Sequence, residues 1–189
     1  MTFWMWIMCA YIIGSIPFGV LIPAALGQGD PRTIGSGNIG STNVYRLAGI
    51  RTAMLVYICD VLKGAIPTWL ASPNQRSYVA LACVIGHVFS IFLKGKGGKG
   101  VATACGVLLV LMPKALFLAV LVWFIIWKTT HFVSLASLIA CSIILLMGWI
   151  DPDQNTGLFS LCLFALLVWS HRANIVRLAK GQESKVQKK

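Results

Sequence analysis

Residues 101–127 read VATACGVLLVLMPKALFLAVLVWFIIW. The run is mostly apolar, with one proline–lysine pair, Pro113-Lys114, near its middle. A bilayer-spanning helix needs ~20 apolar residues, within a range of ~17–25. The segment is therefore either one overlong kinked helix or two short helices joined at the proline. Charge elsewhere in the chain decides between them. Further apolar runs cover 4–26, 53–71, 78–93, 132–150 and 158–169. With two helices in 101–127 there are seven spans, and alternate loops share a side. One side then holds Arg32, Arg46, Arg51, Lys94, Lys96, Lys99, Lys128 and the basic C-terminal residues. The other holds only Arg76 and Lys114, together with Asp151 and Asp153. With one helix, the basic tail falls opposite the two earlier basic loops and the bias collapses. Cytoplasmic loops carry the Lys/Arg excess. The expectation is an all-α integral membrane protein of seven transmembrane helices, N-terminus outside and C-terminus cytoplasmic. Some helices must then be short, kinked or partly re-entrant, which is tolerated only beside protein or a polar cavity.

Composition agrees. The 189 residues are 58% hydrophobic, with a mean hydropathy of +0.81, too apolar for a soluble domain. The net charge of +11 would suggest nucleic acid on a soluble protein. Here the basic residues sit in loops and the tail, so no nucleic-acid partner is expected, and membrane orientation and anionic ligands are. The six cysteines lie in apolar runs without a CxxC pair and read as small hydrophobes. The run 4–26 lacks a basic leader and is long enough to remain as a helix. Gly14, Pro17, Gly19 and Pro23 interrupt it, which predicts a kink or close packing. Asp60 and Lys63 lie three apart in the second span, on one helix face. A mutually neutralised pair that fixes helix packing is preferred there to direct substrate contact. No internal repeat is evident. Residues 1–180 form a single multi-span membrane domain, and 181–189 a basic, disordered cytoplasmic tail.

Three polar stretches fall on the cytoplasmic side of this topology. The first, residues 35–46, reads GSGNIGSTNVYR. Glycines, hydroxyls, amides and Arg46 make it dense in hydrogen-bond donors, and no acid occurs between residues 31 and 50. Such a set suits an anion, because successive backbone N–H groups form concavities that hydroxyls and a guanidinium complete. The second, residues 86–103, reads GHVFSIFLKGKGGKGVAT, with three lysines among four glycines just ahead of a helix start. A helix N-terminus with flanking lysines is a phosphate site, although Gly100 after Lys99 excludes a Walker A loop. The third, residues 170–178, reads SHRANIVRL and places His171, Asn174 and Arg177 on one helix face. Taken singly these stretches fit ordinary loops, lipid-headgroup contacts and an interfacial histidine. One site for phosphorylated substrates accounts for all three.

The motifs GSIPFG, GSGNIGSTNVYR, DVLKG, GHVFSIFLKGKGGKGVAT and HRANIVRL, in this order and spacing, resemble the bacterial acyl-phosphate:glycerol-3-phosphate acyltransferase family, the PlsY family. The resemblance covers nearly the whole chain. Gly95 departs from it, standing where an aromatic residue is expected. So does Ala173, standing where an acid often follows His-Arg. The resemblance implies transfer of a long-chain acyl group from acyl phosphate to the 1-hydroxyl of glycerol 3-phosphate. The products are lysophosphatidic acid and phosphate, in the first acylation of phospholipid synthesis. It further implies a bacterial inner-membrane location, membrane lipid as surroundings, and a phosphate-acyl transferase supplying the donor.

Matched onto the motifs, Ser36, Arg46 and Lys99 are assigned to phosphate and acyl-phosphate binding. The backbone around Gly37, Gly40, Gly97 and Gly98 joins them. Asn38, Thr42 and Asn43 shape the first loop, and Lys96 and Arg177 are further substrate-binding positions. His171 and Asn174 hold glycerol 3-phosphate and orient its hydroxyl. No protein nucleophile, cofactor or metal is expected. The proton acceptor is either His171 or a donor phosphate oxygen. The second is preferred, because no carboxylate in the sequence is placed to orient the histidine as a base. An H-x-x-x-x-D box is absent: the fifth residue after His87, His131 and His171 is Phe92, Ala136 and Val176. The rival readings are an anion or phosphate-ester transporter, which needs polar ligands reachable from both faces, and a scaffold on anionic lipid.

Overall fold

The computed structural model describes residues 2–150 and 156–185. The turn expected at 151–153 and the end of the tail lie outside the described residues. The regular structure of the described residues is helical, and no strand occurs among them. In chain order the helices are α1 (Phe3–Ser15), α2 (Phe18–Ala25), α3 (Ser41–Leu70), α4 (Arg76–Val88), α5 (Val101–Leu111), α6 (Pro113–Thr130), α7 (Val133–Ile150), α8 (Gly157–Ser170) and α9 (Arg172–Ala179). Four segments are long and apolar enough to cross a membrane, or six if the bent pairs α1–α2 and α8–α9 each count as one span. The segment 101–127 is two helices, broken between Leu111 and Pro113, and α5 is a short apolar helix. Proline at the first position of α6 fits a helix start, where its missing N–H costs nothing.

Two of the other breaks have local causes, proline at one and glycine at the other. α1 and α2 meet at 43° around Ile16 and Pro17, the kink expected from the prolines. The second span begins earlier than its apolar run: α3 starts at Ser41, inside the polar stretch, and bends at Gly49. Gly49 has φ 80°, a left-handed conformation open to glycine. The last helix is not continuous. α8 ends and α9 begins at His171, with a 60° bend.

Contacts divide the chain into two compact units, Met1–Val110 and Leu111–Lys189. In the first unit, glycines let helices touch backbone to backbone. A methyl group on Gly14 would strike the Cys83 carbonyl, and one on Gly86 the Tyr11 carbonyl, so α1 and α4 approach through reciprocal glycines. Gly64 against the Thr103 carbonyl and Gly106 against the Val61 carbonyl do the same for α3 and α5. Small residues serve where lipid removes the hydrophobic driving force and packing must supply the attraction. Backbone groups freed at the breaks are satisfied internally, as a membrane requires. Lys63 Nζ donates to the Ile16 carbonyl at 2.7 Å. Tyr11 Oη donates to the Phe89 carbonyl at 2.8 Å, and Ser90 Oγ donates to the Ser15 carbonyl. In the second unit α7 packs against α6, α8 and α9. Trp123 Nε1 donates to Ser137 Oγ at 3.2 Å, and α6 buries Ala115 and Ala119.

Candidate active site

The first polar stretch is held by one side chain. Asn43, in the first turn of α3, is 2% exposed. Its Nδ2 lies 2.6, 3.2 and 2.9 Å from the carbonyls of Pro31, Ile34 and Asn38, and its Oδ1 accepts the Ser36 N–H at 3.2 Å. An amide is the group for this task, since it offers donors and an acceptor from one rigid plane. Gly35 has φ 54°, and a methyl group there would collide with Asn43 Oδ1. The Gly40 N–H donates to Asn38 Oδ1 at 2.9 Å, and the Gly37 N–H to the Ile34 carbonyl at 2.9 Å.

The loop amides of Ser36, Gly37 and Gly40 are therefore used within the protein. The groups that remain for a ligand are the exposed Ser36 hydroxyl, the half-buried Arg46 and Thr42, and the start of α3, where Gly40 supplies no side-chain cap. Arg46 forms no ion pair among the described residues. Arg32 does: it pairs with Asp30, and its hydrogen bonds hold the Asp30 carboxyl below the usual carboxylate range.

The second stretch behaves alike. Gly97 N–H donates to the Val88 carbonyl at 3.1 Å and Gly98 N–H to the His87 carbonyl at 3.0 Å. These two amides close the end of α4 and are committed there. A methyl group on Gly98 would run into His87 Nε2. The stretch thus presents Lys99, half-buried, and Lys96, exposed, ahead of the α5 N-terminus. Gly95 has φ 79° and is exposed, so an aromatic residue there would be strained.

Beneath this loop lies a buried polar cluster. Asp60 and Lys63 are paired at 2.7 Å, each with a side chain 3% exposed. His87 Nδ1 lies 3.6 Å from Asp60 Oδ1 and 3.1 Å from Thr103 Oγ1. The cluster joins α3, α4 and α5, and through Lys63 the break between α1 and α2. His87 and Thr103 went unassigned in the sequence. Their link to Asp60 crosses helices and leaves no periodic signal. An apolar groove of about 300 Å³, lined by Ile16, Pro17, Val20, Leu21, Phe92 and Leu93, opens at the same helix break.

The third stretch belongs to the second unit. His171 and Asn174 are buried and Arg177 is half-buried. His171 Nδ1 lies 2.8 Å from the Leu167 carbonyl. A carbonyl only accepts, so Nδ1 carries the proton and a neutral ring has its lone pair on Nε2. Asn174 Nδ2 donates to Glu183 Oε1 at 2.6 Å, Arg177 Nε donates to Glu183 Oε2 at 2.7 Å, and Ser134 Oγ donates to Oε1 at 2.9 Å. Burial works to raise the Glu183 carboxyl, and the bonds from Arg177, Asn174 and Ser134 outweigh it, holding it below its ordinary value. Sequence reasoning missed Glu183 and Ser134. Glu183 stands in a polar stretch that read as tail, and only its spacing of six from Arg177 and nine from Asn174 hinted at a return contact. Ala173 is exposed, so the acid expected there would have faced outward. No group of His, Cys, Asp and Glu suited to a metal occurs among the described residues.

These donor-rich clusters, set on a helical membrane fold, match known proteins over almost their whole length. Residues 4–181 match the family model described as glycerol-3-phosphate acyltransferase. A glycerol-3-phosphate acyltransferase of Lawsonia intracellularis is 44% identical, over 94% of this chain and 92% of that protein. The crystal structure of PlsY, an integral membrane glycerol 3-phosphate acyltransferase, in its glycerol 3-phosphate form superposes with a TM-score of 0.93 at 36% identity. That match covers 99% of this chain and 96% of the other. The lysophosphatidic acid form of the same enzyme gives 0.90 at 35% identity, with the same coverage. The chain belongs to the glycerol-3-phosphate acyltransferase family.

Proposed function

We propose that this chain transfers a fatty acyl group from acyl phosphate to the 1-hydroxyl of glycerol 3-phosphate. The reaction forms 1-acyl-glycerol 3-phosphate and inorganic phosphate at the cytoplasmic face of a bacterial inner membrane. The observation that carries the reading is the likeness, over almost the full chain, to a solved relative in its glycerol 3-phosphate and lysophosphatidic acid forms. The acid-free stretch around Arg46 and the lysines before α5 support a donor that itself carries a phosphate group. The apolar groove at the α1–α2 break suits the acyl chain, which arrives from the bilayer. Seven passes, with the N-terminus outside, fit the distribution of basic residues and the break at Pro113.

The chemistry asks little of a nucleophile. The glycerol hydroxyl adds to the acyl carbonyl, the carbon–oxygen bond to phosphate breaks, and phosphate leaves. The hydroxyl proton goes to a phosphate oxygen of the donor. Ser36, Arg46 and Lys99 bind the donor phosphate and offset the charge that develops there. Asn38, Thr42 and Asn43 shape the loop, and Lys96 adds positive potential. His171, with its lone pair on Nε2, accepts the substrate hydroxyl and aims it, together with Asn174. Binding two phosphate-bearing substrates that repel each other is most of the work.

The test is a purified protein in a lipidic medium, given glycerol 3-phosphate and each donor in turn. Lysophosphatidate should form with acyl phosphate and not with acyl-CoA. The reverse result removes the donor assignment. His171→Ala should retain slow turnover, whereas complete loss in a folded variant would make the histidine the base.

A further inference from the structure

We infer that Glu183 is a positioning residue for glycerol 3-phosphate. Its carboxylate fixes which end of the Asn174 amide is presented to the substrate. The inference rests on the proposed placement of Asn174 at that substrate.

Ionised Glu183 only accepts hydrogen bonds. Asn174 lies 2.6 Å from Oε1, so the amide NH2 must face the glutamate. Reversing the amide would set Oδ1 against a carboxylate oxygen, two acceptors at hydrogen-bond distance in a site 3% exposed at Asn174. The direction of the amide is thus a chemical consequence of the partner. Asn174 Oδ1 is left as an acceptor, and it accepts no hydrogen bond from any described residue. An acceptor of this kind recognises a hydroxyl and repels a phosphate oxygen. Asn174 therefore reads a glycerol hydroxyl. Arg177 spends only Nε on Glu183 Oε2, so the remaining guanidinium N–H groups can still serve an anion. Ser134, buried near the start of α7, completes the glutamate's partners and ties the segment after α9 to a rigid helix.

The experiment measures kcat and both KM values for Glu183→Gln, Glu183→Ala and Glu183→Asp, with Asn174→Ala alongside. Glutamine matches glutamate in shape but offers its own NH2, so the Asn174 amide can turn over. Glu183→Gln and Glu183→Ala should raise the KM for glycerol 3-phosphate about tenfold, the scale of one misdirected hydrogen bond, with the acyl-phosphate KM unchanged. Glu183→Asp, which keeps an acceptor-only partner, should recover most of the loss. Wild-type KM in Glu183→Gln overturns the inference. So does an equal change in both KM values, which marks a structural role only. Asn174→Ala separates the role of Asn174 from that of Glu183. If it retains normal kinetics, the placement of Asn174 at the substrate is wrong. If it is impaired while Glu183→Gln is not, the placement stands and only the positioning role of Glu183 fails.

Discussion

Between residues 31 and 50 the chain carries Arg32, Arg46 and no acid, whereas between 171 and 183 it carries His171, Arg172, Arg177, Lys180 and Glu183. The two regions handle charge in opposite ways. In the first, the Asn43 amide, a neutral group, organises the loop. The loop's own amides are consumed by this, and Arg46 is left without a counter-ion among the described residues. In the second, a carboxylate gathers an amide, a guanidinium and a hydroxyl, and Arg177 is neutralised in place. A region organised by a neutral amide keeps its positive field for an incoming anion. A region organised by a carboxylate gives up that field and gains fixed directions for its donors and acceptors. The contrast suits a reaction in which one partner is recognised mainly by phosphate and the other must also have a hydroxyl aimed.

The largest effect should come from removing the cations of the first unit. Arg46→Ala and Lys99→Ala should each lower kcat/KM by about 10²–10³-fold, the scale of losing one donor to developing negative charge. Their melting temperatures should stay near wild type. Near-normal turnover in Arg46→Ala erases the contrast, because the field would then have no use. Asn43→Asp comes next, with an expected loss of about 10–10²-fold accompanied by a lower melting temperature. The exchange keeps the shape and removes both N–H donors, leaving loop carbonyls unsatisfied at about 1–3 kcal/mol each. Unchanged melting would show that the Asn43 amide does not hold the loop.

Parts of this were open to reading from the residues alone. Pro113 and Pro17 stand at helix breaks, where a missing N–H and a ring clash act locally, although Pro23 and Pro67 are carried inside α2 and α3. The start of α3 at Ser41 was hidden, since Ser-Thr-Asn favours caps and turns as readily as helix, and the bend at Gly49 divides the polar first part from the apolar remainder. The break at His171 has neither proline nor glycine beside it, so it belongs to packing rather than to local preference. Motif matching singled out Arg46, Lys99, His171 and Asn174 as candidate residues. It did not reveal that the amides of Gly97 and Gly98 close the end of α4, or that a glutamate in a hydrophilic tail returns to Asn174. Both are contacts across distance, and spacing carries no trace of them.

The smallest effect concerns that glutamate and pH. The folded Glu183 carboxyl lies below its ordinary value of 4.5. A depressed carboxylate contributes stability above the unfolded pKa and loses it as pH falls through the folded one. The difference in melting temperature between wild type and Glu183→Gln should therefore be constant near neutrality and shrink towards zero as the pH drops below about 4.5. It should amount to a few degrees at most, because the group is partly open to solvent, which screens its bonds. The same acidification should leave the melting difference between wild type and Arg46→Ala unchanged, since no carboxylate among the described residues pairs with Arg46. If both differences respond alike to acid, the two regions do not differ in how they hold charge. If only the Glu183 difference responds, the second region depends on an ionised carboxylate and the first does not.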